Sequence, residues 1–192
     1  MTVYIARHGE TAWTLTGQHT GLTDLPLTPR GERNAGALAR RLSGSQFAKV
    51  FTSPLQRARR TCTLAGFEGA AEVDGDLVEW DYGDYEGLRS VEIRAKRPDW
   101  QLFRDGCPGG ESPVEVMARA DRVMARVRAV PGNVLLFSSG HFIRLLAARW
   151  IGLDPALHGM SFQLNTASLS ALGYERGTPV IQLWNDDHHV CP

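Results

Sequence analysis

Val134-Leu135-Leu136-Phe137-Ser138 has no polar face to turn toward water. A short, continuous apolar run of this kind suits a strand covered on both sides, as in parallel sheets flanked by helices. Val3-Tyr4-Ile5-Ala6 and Val50-Phe51-Thr52 read as two more strands. Helix signals follow the later two. Ser53-Pro54-Leu55-Gln56 reads as a capping box with proline at the first helical position, and Gly66 as a stop. Phe142 to Trp150 reads as a helix ended by Gly152. Ser112-Pro113-Val114-Glu115 repeats the capping signature and opens a helix running to Pro131-Gly132, while another spans about Pro29 to Leu42, with Gly44 as its stop. Ser168 to Tyr174 and Val180 to Trp184 look like late strands. Alternating strands and helices predict an α/β fold, a three-layer αβα sandwich whose mostly parallel sheet has helices on both faces.

No repeat, low-complexity tract or linker divides the chain, so residues 1–192 read as one domain. The weakly patterned stretch 98–110 reads as a lid or insertion over a site. Lys+Arg 21 against Asp+Glu 21 leaves no net charge, which argues against a general nucleic-acid or membrane-surface binder. No apolar run approaches the roughly 20 residues that span a bilayer. The N-terminus runs straight into a strand without a signal-peptide pattern, so the expected compartment is the cytoplasm. Cys62, Cys107 and Cys191 are odd in number and far apart, which supports neither a disulfide framework nor a metal site. His188, His189 and Cys191 could be pictured as metal ligands; an exposed polar tail is the simpler reading, and no metal is expected.

Arg7-His8-Gly9-Glu10-Thr11 follows the first strand, and ligands gather at the carboxyl ends of strands in open α/β sheets. Guanidinium suits phosphate oxyanions, and a neutral imidazole is a nucleophile. Arg57 lies one turn into the helix after the second strand, where a helix N-terminus favours anions. It reads either as a second phosphate clamp or as a solvent-facing member of the set Arg57, Arg59 and Arg60. Glu79 stands among Leu77, Val78, Trp80 and Tyr82. A carboxyl in apolar company can hold a proton for a leaving group; the alternative is a surface acid beside Asp81. After the third strand, Ser138-Ser139-Gly140-His141-Phe142-Ile143-Arg144 brings hydroxyls, a glycine, a histidine and a cation to the same sheet edge.

Taken together these residues resemble the histidine phosphatase superfamily, also called phosphoglycerate mutase-like. The likeness runs through Arg7 to Thr11, Thr20-Gly21-Leu22-Thr23-Asp24, Leu27-Thr28, Ser53 to Ala58, and Glu79 with Tyr82-Gly83. Glu79 to Gly87 and Arg104-Asp105-Gly106-Cys107 look most like phosphatase branches containing acid phosphatases and sedoheptulose-bisphosphatase-type enzymes. The resemblance implies a metal-independent phosphomonoesterase with no cofactor, taking a small phosphorylated metabolite and releasing inorganic phosphate. It implies that His8 becomes a phosphohistidine, that Arg7 and Arg57 bind the equatorial oxygens, and that Glu79 serves as general acid and then base. Thr14, Thr20, Gly21, Tyr82, Gly140 and Arg144 fall where relatives bind substrate.

One position departs from the pattern. Relatives carry a second pocket histidine in His-Gly-x-x-x-Arg; here Gly140 and Arg144 keep the register and Ser139 takes the histidine's place. Losing one preorganised donor in such a site costs on the order of 10² to 10³ in rate. Three explanations stand: His141 moves in to compensate, activity is low, or the serine is an engineered change. A bisphosphoglycerate-dependent mutase is the nearest rival, but Arg89, Arg94, Lys96 and Arg97 do not match the paired lid arginines of mutases, and Asp81 and Glu86 add negative charge. A catalytically weak phosphate-binding protein is the rival from outside enzymology. Nothing in the sequence decides between a monomer and a homo-oligomer.

Overall fold

Alternate residues of the central strands face different helices. Val3 and Ile5 of β1 (Val3–Arg7), with Val134 and Leu136 of β4 (Val134–Ser138), share a cluster with Val116, Val123 and Val127 of α6 (Pro113–Arg128) and with Phe142 and Leu146 of α7 (Gly140–Trp150). Ala6, Leu135 and Phe137 point the other way, onto Leu38 of α2 (Pro29–Arg41) and Cys62 of α3 (Gln56–Leu64). The two-residue period of a strand thus makes two cores from one run. All five residues of β4 are buried. Each large apolar side chain there contributes roughly 1.5–3 kcal/mol by leaving water. The computed structural model describes residues 1–190.

With β2 (Lys49–Thr52), β3 (Ala71–Val73), β5 (Leu169–Glu175) and β6 (Thr178–Asp186), the strands form one six-stranded sheet in the order β3-β2-β4-β1-β5-β6. The first three neighbouring pairs are parallel, and β1–β5 and β5–β6 are antiparallel. The α/β fold is as expected, but its sheet is mixed because the late strands form a hairpin. Arg176 and Gly177 turn it with φ of 50° and 87°, and turns with two positive φ values match strand twist. β3 has no counterpart among the sequence-predicted strands. It is three residues long, and Glu72 and Val73 are exposed, so no apolar pattern marks it.

Two helix starts differ from each other in an instructive way. Ser112 caps α6 as predicted, accepting from Glu115 N while Glu115 reaches back to Ser112 N. That helix ends at Arg128, a turn short of Pro131. Ser53 does not cap α3. Its own N–H donates to Phe137 O at 3.0 Å, so the chain is still leaving the sheet, and the helix begins at Gln56. Asp24 Oδ1 accepts from Gln56 N at 2.8 Å instead, a cap supplied from a distant loop.

Parallel register brings the carboxyl ends of β1, β2 and β4 to one edge, with Arg7 opposite Ser138 and Thr52 opposite Phe137. The stretch 98–110 contains a short helix, α5 (Leu102–Asp105), and buries Trp100, Leu102 and Phe103. Phe103 lies 5.7 Å from the His141 ring, so this stretch backs the same edge. Among the described residues, no helix is long and apolar enough to cross a membrane.

Candidate active site

A cleft of about 260 Å³ opens at that edge, lined by Arg7, His8, Thr14, Thr20, Glu79, Tyr82, Gly140, His141 and Arg144 among others. Arg57, Gly21 and Ser139 do not line it; they stand in the layer behind.

His8 is 3% exposed, and its Nδ1 lies 2.7 Å from Gly9 O. A carbonyl oxygen only accepts, so Nδ1 carries the proton and Nε2 keeps its lone pair. Burial, then the nearby Arg57 and Arg7 charges, holds His8 well below its ordinary pKa. The ring is therefore neutral, with a free nucleophilic nitrogen, across the ordinary working range.

Arg7 donates from Nη1 to Leu164 O, and its guanidinium rests against Gly140. A Cβ on Gly140 would sit 3.2 Å from Arg7 Cζ and Nε, so glycine there lets the helix start beside the cation. Arg57 is fully buried, which removes the solvent-facing alternative. Its Nη1 donates to Thr23 O at 2.9 Å, and Nη2 donates to Thr20 O at 3.0 Å and Gly21 O at 2.7 Å. Glu86 in turn accepts from Gly21 N at 2.8 Å and Thr23 N at 3.2 Å, so one carboxylate shapes the loop that holds this arginine. Nε of Arg7 and of Arg57 are both buried without a hydrogen-bond partner among the described residues. Burial pulls both guanidinium groups below the ordinary arginine value.

Glu79 is 5% exposed, yet its company is more polar than its sequence neighbours suggest. Oε1 accepts from Trp80 N at 2.9 Å and Phe142 N at 2.8 Å, and Oε2 accepts from His141 N at 2.9 Å. The carboxyl thus caps the α7 N-terminus across space. Each carboxylate oxygen has about two acceptor positions, so one remains on Oε2.

Across the cleft, His141 Nδ1 lies 2.6 Å from Tyr82 OH. Burial, then the Arg144 charge, holds His141 well below its ordinary pKa, and burial raises Tyr82 well above its own. Arg144 donates to Gly159 O at 3.1 Å and Met160 O at 3.0 Å and lies over the Phe103 ring. Ser139 Oγ is buried with no partner among the described residues. Thr14 Oγ1 donates to Thr11 O at 2.9 Å and Thr20 Oγ1 to Gln18 O at 3.3 Å.

Matching the residues to known sequences, the profile of the histidine phosphatase superfamily (branch 1) covers residues 3–187. The chain belongs to that superfamily. Among histidine phosphatases it is 43% identical over 193 residues to an acid phosphatase of Mycobacterium tuberculosis, covering 98% of this chain and 94% of that one. It is 38% identical over 181 residues to the sedoheptulose 1,7-bisphosphatase of Saccharomyces cerevisiae, covering 78% and 67%. A solved structure from a Mycobacterium tuberculosis open reading frame superposes with a TM-score of 0.92 at 38% identity, covering 97% of this chain and 98% of that one. The protein is a phosphatase, with activity on small phosphorylated substrates.

Sequence reasoning missed Trp13, Gly17, Gln18, His19, Ser90 and Leu164 as lining of this histidine phosphatase site, and it read Glu86 only as negative charge and not as the brace of the Arg57 loop. The tail is outside it. His188 pairs with Asp186 and His189 Nε2 donates to Ala167 O at 2.8 Å, while Cys191 lies outside the described residues. Among the described residues, no cluster of three His, Cys, Asp or Glu could hold a metal.

Proposed function

We propose that the protein hydrolyses a phosphomonoester through a phosphohistidine on His8, without a metal. The observation that carries this reading is the His8–Gly9 hydrogen bond, which leaves Nε2 unprotonated on a residue that lines the cleft, within reach of the Arg57 and Arg7 charges. Nε2 attacks phosphorus and the ester P–O bond breaks. Arg7 and Arg57 supply positive charge for the equatorial oxygens, preorganised by carbonyls that fix their planes. Glu79 Oε2, whose remaining position is open, delivers a proton to the leaving alkoxide when the acid form meets the substrate. The resulting carboxylate then takes a proton from water, whose oxygen attacks phosphorus and breaks the P–N bond. Inorganic phosphate leaves, and His8 and Glu79 return to their starting states.

His141, rather than Ser139, is the second imidazole of the cleft in this reading. It lines the cleft and is fixed by Tyr82, whereas the Ser139 hydroxyl is behind the lining. Being neutral, His141 contributes a hydrogen bond and not a charge; the cations are arginines.

Two assays test the scheme. Turnover of p-nitrophenyl phosphate in EDTA should match turnover without it, and loss in EDTA would refute the metal-free mechanism. Wild-type protein quenched during turnover should carry an acid-labile, base-stable phosphoryl label that His8→Ala lacks. Label persisting in His8→Ala would remove His8 as nucleophile. Interconversion of 2- and 3-phosphoglycerate dependent on 2,3-bisphosphoglycerate would favour the mutase instead.

A further inference from the structure

Beside Tyr82 and His141, the cleft is also lined by Trp13, Gly17, Gln18, His19 and Ser90. Most hydrogen-bonding capacity on this wall is used inside the protein. Gln18 donates from Nε2 to Gly87 O at 2.9 Å and accepts from Thr16 at Oε1, and the Thr14 and Thr20 hydroxyl protons go to backbone carbonyls. His19 differs. It is 7% exposed, its backbone is clamped by bonds to Leu88 O and from Gly87 N, and Nε2 meets Ser90 Oγ at 3.2 Å. Its ring packs 4.7 Å from Tyr82, 5.6 Å from Trp100 and 5.7 Å from His141. Nδ1 has no partner among the described residues, although the residue lines the cleft.

Resting on the phosphatase reading above, we infer that His19 and Ser90 form a hydroxyl-reading subsite, so the leaving group is a polyol or sugar and not an aryl group without hydroxyls. A neutral imidazole offers either a donor or an acceptor at its free nitrogen, and the serine hydroxyl offers the complementary role. A substrate hydroxyl both donates and accepts, so it satisfies either tautomer. An aryl group without hydroxyls offers neither role and would leave Nδ1 unpaired beside a buried ring, a costly arrangement. Rigid packing on Tyr82 and Trp100 holds the ring in place before binding, which lowers the ordering cost.

The test is binding to His8→Ala protein, so that turnover plays no part. Calorimetry would compare glucose 6-phosphate, ribose 5-phosphate and glycerol 3-phosphate with phenyl phosphate, which has the phosphate but no hydroxyl. At least one polyol ester should bind more tightly than phenyl phosphate. Adding His19→Phe should weaken that ester about tenfold, and Ser90→Ala, which leaves ring packing intact, about threefold, with phenyl phosphate changing less than about twofold. Parallel losses on both ester types, or no loss on the polyol ester with Ser90→Ala, would overturn the subsite. So would a preference for phenyl phosphate over all three polyol esters. If the His8→Ala parent binds none of the four esters, the phosphate site itself is misread and the subsite falls with it.

Discussion

The two walls of the cleft achieve order by opposite means. On the proposed phosphate side, Arg57 is a buried cation and Arg7 a partly buried one, their planes set by backbone carbonyls of Leu164, Thr20, Gly21 and Thr23. On the wall that carries His19, the rings of His19, His141 and Tyr82 are neutral and set by side-chain contacts with one another and with Ser90. Backbone carbonyls cannot be mutated away one at a time, and they hold charge where the proposed mechanism puts the phosphate. Side-chain partners can change singly, so this wall can be altered one residue at a time. Charge is fixed on one side, and recognition is adjustable on the other.

The largest way to break the comparison is Arg57→Lys. An ammonium keeps the charge but lacks the fork that reaches three carbonyls and leaves Nε over. The expected loss in kcat/KM is about 10² to 10³-fold, the scale of one preorganised transition-state donor. A loss under about tenfold would mean that charge alone suffices and the carbonyl scaffold is incidental.

These walls were not equally legible in the sequence. His8, Arg7 and Arg57 follow apolar runs whose ends must meet at one sheet edge, so their convergence could be read from β1, β2 and β4 alone. His19 and Ser90 meet across 71 residues through a backbone clamp that no local pattern encodes. Asp24 capping α3, Glu79 capping α7 and Glu86 bracing the Arg57 loop are likewise contacts between distant segments. Glu79 shows the limit most clearly: its sequence neighbours are apolar, but the groups touching its oxygens are N–H donors, two of the three from a distant helix. Burial of neighbours along the chain predicts a core, not the polarity of what the fold brings to it.

The neutral wall can be probed by acid. Burial lowers the His19 pKa from 6.5 to about 4. Between those values the unfolded chain binds the proton and the folded one does not, so stability rises with pH there and falls as pH drops below 6.5. For this 7% exposed residue, the loss between pH 7 and pH 5 comes to about 2 kcal/mol. Urea unfolding at the two pH values should show a loss smaller by that amount in His19→Phe than in wild type. Equal losses in both proteins would mean that His19 keeps an ordinary pKa and the wall is not neutral by burial.

A smaller change separates Arg57 from what positions it. Glu86→Ala leaves the guanidinium in place but removes the acceptor for Gly21 N and Thr23 N. The loop carbonyls then lose their brace, and inhibition by inorganic phosphate should weaken about tenfold, the scale of one or two lost charge-assisted hydrogen bonds. An unchanged inhibition constant would break the chain from Glu86 through the loop to Arg57.

Ser139→Ala should change least. Ser139 occupies the N-cap position of α7 in extended backbone, φ −119° and ψ 167°, but makes no capping bond. The N–H groups of His141 and Phe142, which a serine cap would take, already go to Glu79. Its hydroxyl is therefore buried with nothing to bond, and removing it should not incur the usual cap loss of about 1 kcal/mol. Unfolding free energy should stay within about 0.5 kcal/mol of wild type or rise, since an unpaired buried hydroxyl is itself unfavourable. Turnover should stay within about threefold, well short of the 10²-fold cost of a lost oxyanion donor. A drop of tenfold or more at unchanged stability would place the Ser139 hydroxyl on the phosphate and move the second donor of the cleft from His141 back to the position where relatives carry histidine.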